Sequence, residues 1–449
     1  MGGKNEHTTF ATRLGGIAAA VGSAVGFGNI WRFPYITGRD GGAAFLLIYI
    51  VAVLLLGIPM MIAEFSIGRS AHRNVVDAYR KAAPGTKWHW VGGLGLLVAV
   101  LILGFYTVLS GWTLRYTFVA LTGDLHGGEF HGFVSDTYQP LFWTLLAIFI
   151  NAAILLGGVQ KGIERASNIM MPLLALLLLV LVANSATLDG FGEGVAFLFV
   201  PKWEDVTVQT FLDAIGQAFF SLSVAMGILV AYGSYLGDNT KIGKTAVSVA
   251  ALDTLVAILA GVVIFPACFT YQQEAGQGPG LMFETLPTVF EQMPGGWPLG
   301  AIFFLLITLA GLTSCMSIFE VPISYLQEEW HISRRRAVLV SSIYALAVGI
   351  CCSLAMGAWS DFKLLLPTGH GWESYNLFDF LDNLTSRYMM PVCAILTSIL
   401  VGWYLKKDFM HDAITNWRTD SGWYLRPLLI LLRFVAPALI LIIFVANLL

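Results

Sequence analysis

Apolar stretches of about 20 residues, each long enough to cross a hydrocarbon layer about 30 Å thick, recur from one end of this sequence to the other. Inside such a layer water cannot pair with backbone N–H and C=O groups, so each stretch must form a helix that satisfies its own backbone. Eleven stretches are read, at about 11–36, 41–68, 88–121, 141–158, 166–187, 211–236, 243–270, 298–328, 337–356, 375–405 and 425–448. The expected fold is an all-α membrane protein of eleven transmembrane helices in one integral domain. Composition agrees: 57% of the 449 residues are hydrophobic and 12% charged, against roughly 25% charged in a soluble domain. The lipid bilayer is the partner this implies; nothing in the chain suggests nucleic acid.

Charge is distributed by loop. Arg69, Arg73, Arg80, Lys81 and Lys87 follow the second span, Lys161 and Arg165 lie after the fourth, and Lys241 and Lys244 follow the sixth. Arg334 to Arg336 follow the eighth, and Lys406, Lys407 and Arg418 the tenth. Asp124, Glu129, Asp136, Asp189, Glu193, Glu274, Glu284 and Glu291 fill the loops between. Short cytoplasmic loops concentrate Lys and Arg, so the N-terminus is expected in the cytoplasm and the C-terminus outside the plasma (inner) membrane. The polar start, Met1 to Thr9, and the long first span do not resemble a cleavable signal. Cys268, Cys315, Cys351, Cys352 and Cys393 fall in or beside spans without CxxC spacing and read as small apolar filler.

The first and sixth spans are both interrupted halfway by small residues, at Gly22-Ser23-Ala24-Val25-Gly26-Phe27-Gly28-Asn29 and at Ser221-Leu222-Ser223-Val224-Ala225-Met226-Gly227. Interruptions five spans apart suggest an inverted five-plus-five repeat, 10–187 and 211–405, followed by an eleventh helix at 425–448, with two broken helices meeting at the midplane. Close helix packing of the Gly22-xxx-Gly26 kind is the alternative source of the same glycines.

Ionisable groups inside spans are costly and mark function. Arg32 follows the first interruption, where it either closes a pathway or snorkels to headgroups. Glu64 reads as a structural carboxyl bonded to the broken first helix. Asp253 has no basic residue at helical spacing, so a free cation is its natural partner, and Asp379 and Asp382 begin the tenth span within reach of Arg32. Oxygen ligands without histidine or thiolate suit a hard monovalent cation. Ala310-Gly311-Leu312-Thr313-Ser314 offers two more hydroxyls, although such hydroxyls also bond back to their own helix.

The run Gly26-Phe27-Gly28-Asn29-Ile30-Trp31-Arg32-Phe33-Pro34 resembles the first-helix signature of the neurotransmitter:sodium symporters, the family of the bacterial leucine transporter. Gly57-Ile58-Pro59 with Glu64 and Gly68-Arg69, Tyr106 with Trp112-Thr113, Gln217 to Ser223, Gly278 to Leu281 and Ala310 to Ser314 resemble further family motifs in the expected order. The resemblance implies a sodium-coupled amino-acid symporter working by alternating access, with two sodium ions and no organic cofactor. It assigns the first sodium to Ala24, Asn29, Ser221 and Asp253, and the second to Gly22, Val25, Ala310, Thr313 and Ser314. Substrate would lie among Ser23, Ala24, Phe27, Gly28, Ile102, Tyr106, Phe220, Ser221, Ser223, Met226, Ser314 and Ile318.

Gly26 stands where monoamine carriers have an aspartate, which implies a substrate with its own carboxylate. The gates implied are Arg32 with Asp382 and Gln217 on one side and Arg13 with Glu328 on the other. His7 and Phe10 depart from the family pattern ahead of the first helix, which leaves the second gate open. Gly162 and Pro172 match a fifth-helix spacing tied in the family to unwinding that wets the second sodium. Ala257 replaces a serine of chloride-dependent relatives, so chloride independence is expected. The alternatives are a sodium-coupled carrier of another small amino acid or amine, a substrate-gated sensor or channel on the same scaffold, and an intramembrane enzyme. The last lacks GxSxG, HExxH and any histidine pair in a span. Oligomeric state is not legible, and a monomer suffices for transport.

Overall fold

The computed structural model describes residues 9–126, 129–273, 280–368, 371–405, 409, 411 and 424–446. His7, Glu274, Gly278, Lys406, Lys407 and Arg418 lie outside the described residues. Nine continuous helices among the described residues are long and apolar enough to cross a membrane: Ala43–Ala71, His89–Thr122, Gln139–Leu156, Val159–Ser185, Ile242–Thr270, Gly296–Glu329, Arg334–Ala355, Leu377–Tyr404 and Leu425–Ala446. A tenth crossing is the pair Arg13–Ala24 and Gly28–Arg39, bent by 46°. The segment expected as the sixth span is a pair of shorter helices, Val208–Ser221 and Ile228–Ser234. Counting it, the order of spans follows the sequence.

Most of span eight is buried, while Phe149, Leu176, Leu179, Ile343, Leu441 and Ile442 on the peripheral spans are exposed. An apolar belt of that breadth is stable against lipid tails and not against water. Spans two and six pack backbone on backbone. A Cβ on Gly68 would stand 2.0 Å from the Val230 carbonyl oxygen, and one on Gly233 would stand 2.7 Å from that of Phe65. Span five starts earlier than the expected residue 166, as a π-helical turn over Val159–Glu164. Its polar Gln160, Lys161 and Glu164 hide that turn from a hydropathy reading.

Contacts between loops sort the two faces. His72 reaches Asp238, Arg80 reaches Glu329, and Arg334 Nε donates to the Leu155 carbonyl at 2.7 Å, so these basic loops share one face. On the other face His126 lies 3.4 Å from Glu291. That face also carries short helices at Phe130–Ser135, Phe191–Phe199 and Leu286–Gln292, and a hairpin pairing Leu364–Thr368 with Gly371–Tyr375. Tyr388 of span ten donates its hydroxyl to the Pro367 carbonyl of the hairpin. The five cysteines are all free, four buried and Cys351 half-buried.

Candidate functional site

Helix Arg13–Ala24 stops at Val25, whose backbone turns extended, and a π-helical turn resumes at Gly28. The glycines here give room to neighbours. A Cβ on Gly26 would stand 2.3 Å from Ser314 Oγ and 2.9 Å from the Tyr106 hydroxyl; one on Gly28 would stand 3.3 Å from Phe220. Span six breaks over 222–227, where Ser223, Ala225 and Gly227 take φ of 55°, 65° and 74°. Left-handed backbone costs a non-glycine residue about 1–2 kcal/mol. Glu64 offsets that cost, accepting the Ala225 N–H at 2.8 Å. The expected structural role of Glu64 is therefore met at span six and not at span one, because the Ala225 amide is the one its carboxylate reaches.

The two breaks face each other. Ser223 Oγ donates to the Ser23 carbonyl at 3.1 Å, and Gln217 Nε2 donates to the Gly28 carbonyl at 2.7 Å. Asn29 Nδ2 lies 3.1 Å from Ser221 Oγ and 2.7 Å from Asp253 Oδ1. Ser221 donates to Asp253 Oδ2 at 2.8 Å, and the Tyr49 hydroxyl lies 3.4 Å from the same oxygen. Asp253 is fully buried, and among the described residues no Lys or Arg pairs with it. A buried carboxylate surrounded by neutral donors and carbonyls is suited to hold a small cation. Ala24 ends the first half of span one. Tyr49 was not foreseen; the signal available was that it is the one polar side chain between Gly42 and Met61.

The second group lies where span eight meets the first break. Ser314 Oγ is 3.4, 3.2 and 3.3 Å from the carbonyl oxygens of Gly22, Ser23 and Val25. Thr313 Cβ would lie 3.4 Å from a Cβ on Gly22. The Thr313 hydroxyl donates to the Leu309 and Ala310 carbonyls, each at 3.0 Å, so its hydrogen bonds back to its own helix and its lone pairs stay available. Structure thus brings Gly22, Val25, Ala310, Thr313 and Ser314 together.

Between the breaks is a narrow cavity of about 20 Å³ lined by Ser23, Ala24, Gly26, Gly28, Ile102, Tyr106, Phe220, Ser223, Met226, Ile228, Ser314 and Ile318. Ten of the twelve expected residues line it. Phe27 instead packs against Tyr106 with tilted rings, centroids 4.8 Å apart, and Ser221 turns toward Asp253. Ile228 was missed because it begins the helix after the break. The amide of Phe27 donates to the Tyr106 hydroxyl at 3.5 Å.

Neither expected gate pair is formed. Arg32 lies over the Phe220 ring, 4.6 Å from its centroid, with its Nη1 buried and unbonded, and no ion pair joins it to Asp382. Arg13 is exposed and makes no ion pair among the described residues, while Glu328 accepts from the Asn74 amide at 2.7 Å and from Asn74 Nδ2 at 2.9 Å. The tie on the basic face is one the sequence did not show. Buried Glu320 is held by Arg334 at 2.7 and 3.0 Å and by the Tyr235 hydroxyl at 2.8 Å. It joins spans six, eight and nine. Its partners are 14 and 85 residues from Glu320 in the chain, on other spans, so no helical spacing reveals them.

Comparison with known proteins agrees with this architecture. Residues 7–135 and 134–449 match the sodium:neurotransmitter symporter family. An uncharacterized sodium-dependent transporter of Bacillus subtilis is 36% identical over 442 residues, covering 97% of this chain and 96% of that one. The human sodium- and chloride-dependent GABA transporter 2 is 25% identical over 460 residues, covering 89% of this chain and 73% of its own. The crystal structure of MhsT in complex with L-phenylalanine superposes with a TM-score of 0.89 at 40% identity, covering 98% of this chain and 99% of that one. With its two breaks facing each other across a cavity, the chain belongs to the sodium:neurotransmitter symporter family, as a sodium-dependent transporter and not an enzyme.

Proposed function

We propose that this protein imports hydrophobic L-amino acids, aliphatic or aromatic, by alternating access, together with sodium held at two sites and without chloride. The observation that carries the reading is Asp253: a buried carboxylate, bonded by Asn29 and Ser221, beside a mostly apolar cavity where Gly26 leaves no fixed acid for a bare amine. A substrate carboxylate would complete the shell of the first sodium near Gly28 and Tyr106, so sodium and substrate each bind well only with the other, which is the linkage a symporter needs. MhsT, solved with L-phenylalanine, supports an aromatic as one substrate.

Two desolvated cations need compensating negative charge. Asp253 supplies it as a fixed group, while Ala257, one turn further along span seven, offers no hydroxyl to an anion. The basic-loop face is the cytoplasmic one and the hairpin lies outside, in the plasma (inner) membrane.

Uptake by the purified protein in proteoliposomes tests this. Replacing sodium by choline should abolish accumulation against a gradient, whereas replacing chloride by gluconate should leave it unchanged. Leu, Ile, Met, Val, Phe, Tyr and Trp should compete better than Glu, Lys or dopamine. Asp253→Asn should cripple sodium binding, and adding Ala257→Ser should restore transport only with chloride present. Parent transport that stops in gluconate overturns the charge argument. Downhill flux without accumulation would favour a channel.

A further inference from the structure

We propose that Glu164 is a positioning residue that latches the cytoplasmic half of span one to the start of span five and thereby keeps the second sodium site sealed; this rests on the sodium-symport reading above. Glu164 ends the π-helical turn that opens span five, and it is 4% exposed. Its Oε2 accepts the Ala11 N–H at 2.7 Å, and its Oε1 accepts the Thr12 N–H at 3.1 Å and the Thr12 hydroxyl at 2.9 Å. Thr12 in turn caps helix Arg13–Ala24, accepting the Gly15 N–H at 2.9 Å. The carboxylate thus satisfies donors that a helix start leaves unpaired, at the end of the helix that favours negative charge.

Gly15 makes the approach possible, since a Cβ there would stand 1.9 Å from Glu164 Oε1. A second tie runs alongside, from Gln160 Nε2 to the Thr9 carbonyl at 2.7 Å.

Span five touches the same helix again at its other end. Met171 Sδ would lie 3.3 Å from a Cβ on Gly22, a residue whose carbonyl faces Ser314 at the second cation group. Thr12 to Gly22 is about 15 Å of helix, short enough to move as one rod. The rod is therefore clamped by span five at its cap and at its sodium end.

Among the described residues no Lys or Arg forms an ion pair with Glu164. When the rod swings away, this carboxylate loses its donors, and a buried charge without donors is too costly to persist dry. Parting of the latch and arrival of water from the cytoplasmic side are consequently one event. Gly157, Gly158 at φ 79° and Gly162 lie within seven residues ahead of Glu164, where the chain can yield.

The test uses the full chain in lipid nanodiscs and proteoliposomes. Glu164→Gln keeps the volume and weakens the acceptors. Amide exchange at 11–16 should quicken about tenfold while 165–185 is unchanged. The sodium concentration for half-maximal uptake should rise about fivefold or more, with the maximal rate falling less than about twofold. Gly15→Ala should reproduce both effects, and the double variant should do no more than either single one, as expected when both break one contact.

Unchanged exchange at 11–16 overturns the latch. Faster exchange with unaltered sodium dependence, or a lowered maximal rate alone, overturns its role in sealing sodium. Additive effects in the double variant show two separate contacts and also overturn it. A parent without sodium-dependent uptake sinks the transport reading and, with it, the sodium role assigned to Glu164, while the exchange measurement still decides whether the contact exists.

Discussion

Span one crosses its interruption in three residues, Val25 to Phe27, and none of its glycines there takes positive φ; span six needs six, Leu222 to Gly227, and places Ser223 and Ala225 in left-handed backbone. The glycines of span one are there for what comes close to them, Ser314, Tyr106 and Phe220. In span six the unusual conformation falls on residues poorly suited to it, and a carboxylate from span two holds it in place. One break is shaped by space and the other by an anchor. Strain that survives only because neighbours impose it is a mark of functional sites. The difference also tells which substitutions should hurt.

The sharpest way to break the comparison is to remove the anchor. Glu64→Ala orphans the Ala225 amide at a cost of about 1–3 kcal/mol, and releases the strained turn besides. Substrate affinity at saturating sodium should fall about 100-fold, measured by equilibrium binding; retention of full affinity would mean that the turn holds itself. Next, Gly26→Ala keeps an ordinary backbone but drives a methyl into Ser314 and Tyr106. Overpacking of this kind costs about 1–3 kcal/mol, so substrate and sodium affinity should both drop about tenfold or more. An alanine tolerated there would show that span one needs its glycines for conformation after all.

Thr313→Val with Ser314→Ala removes two oxygens with little change of volume. The sodium requirement should rise about tenfold with thermal stability little altered, and unaltered sodium dependence in the folded double variant removes these residues from the ion site. The smallest effect is expected at Ala225→Gly. Relief of left-handed strain is partly cancelled by the extra freedom of glycine in the unfolded chain, which leaves about 0.5–1 kcal/mol of stabilisation. A raised thermal midpoint supports the anchor picture; a lowered one shows that Ala225 carries no strain.

The spans were legible because lipid enforces long apolar helices, and Asp253 was legible because a lone acid in an apolar helix has no local explanation. Ser314, Asn29 and Ser221 came from motif order, and the structure brings Asn29 and Ser221 to Asp253 and Ser314 to the carbonyls of the first break. What sequence did not show depends on distance across the fold. Glu64 was read as structural, yet its partner lies 161 residues away in span six. The Glu320 and Arg334 pair joins two spans across a turn: Glu320 is an acid inside an apolar span, but its partner Arg334 read as an ordinary loop charge. The early start of span five was missed because its first turn carries exposed Gln160 and Lys161 and a buried Glu164, which lower its hydropathy. Arg32 was expected on Asp382 and instead covers the Phe220 ring, a neighbour from span six that spacing along the first helix does not reveal.

The five native thiols offer a practical consequence. Cys268, Cys315, Cys352 and Cys393 are buried and Cys351 is half-buried, so all lack the full access to water that a thiolate needs in order to react. A cysteine introduced at Trp372, which is 72% exposed on the hairpin, would stand out to a water-soluble maleimide against a quiet background. With a second one on the basic-loop face, dye pairs could follow opening and closing in single molecules, with the native cysteines left in place.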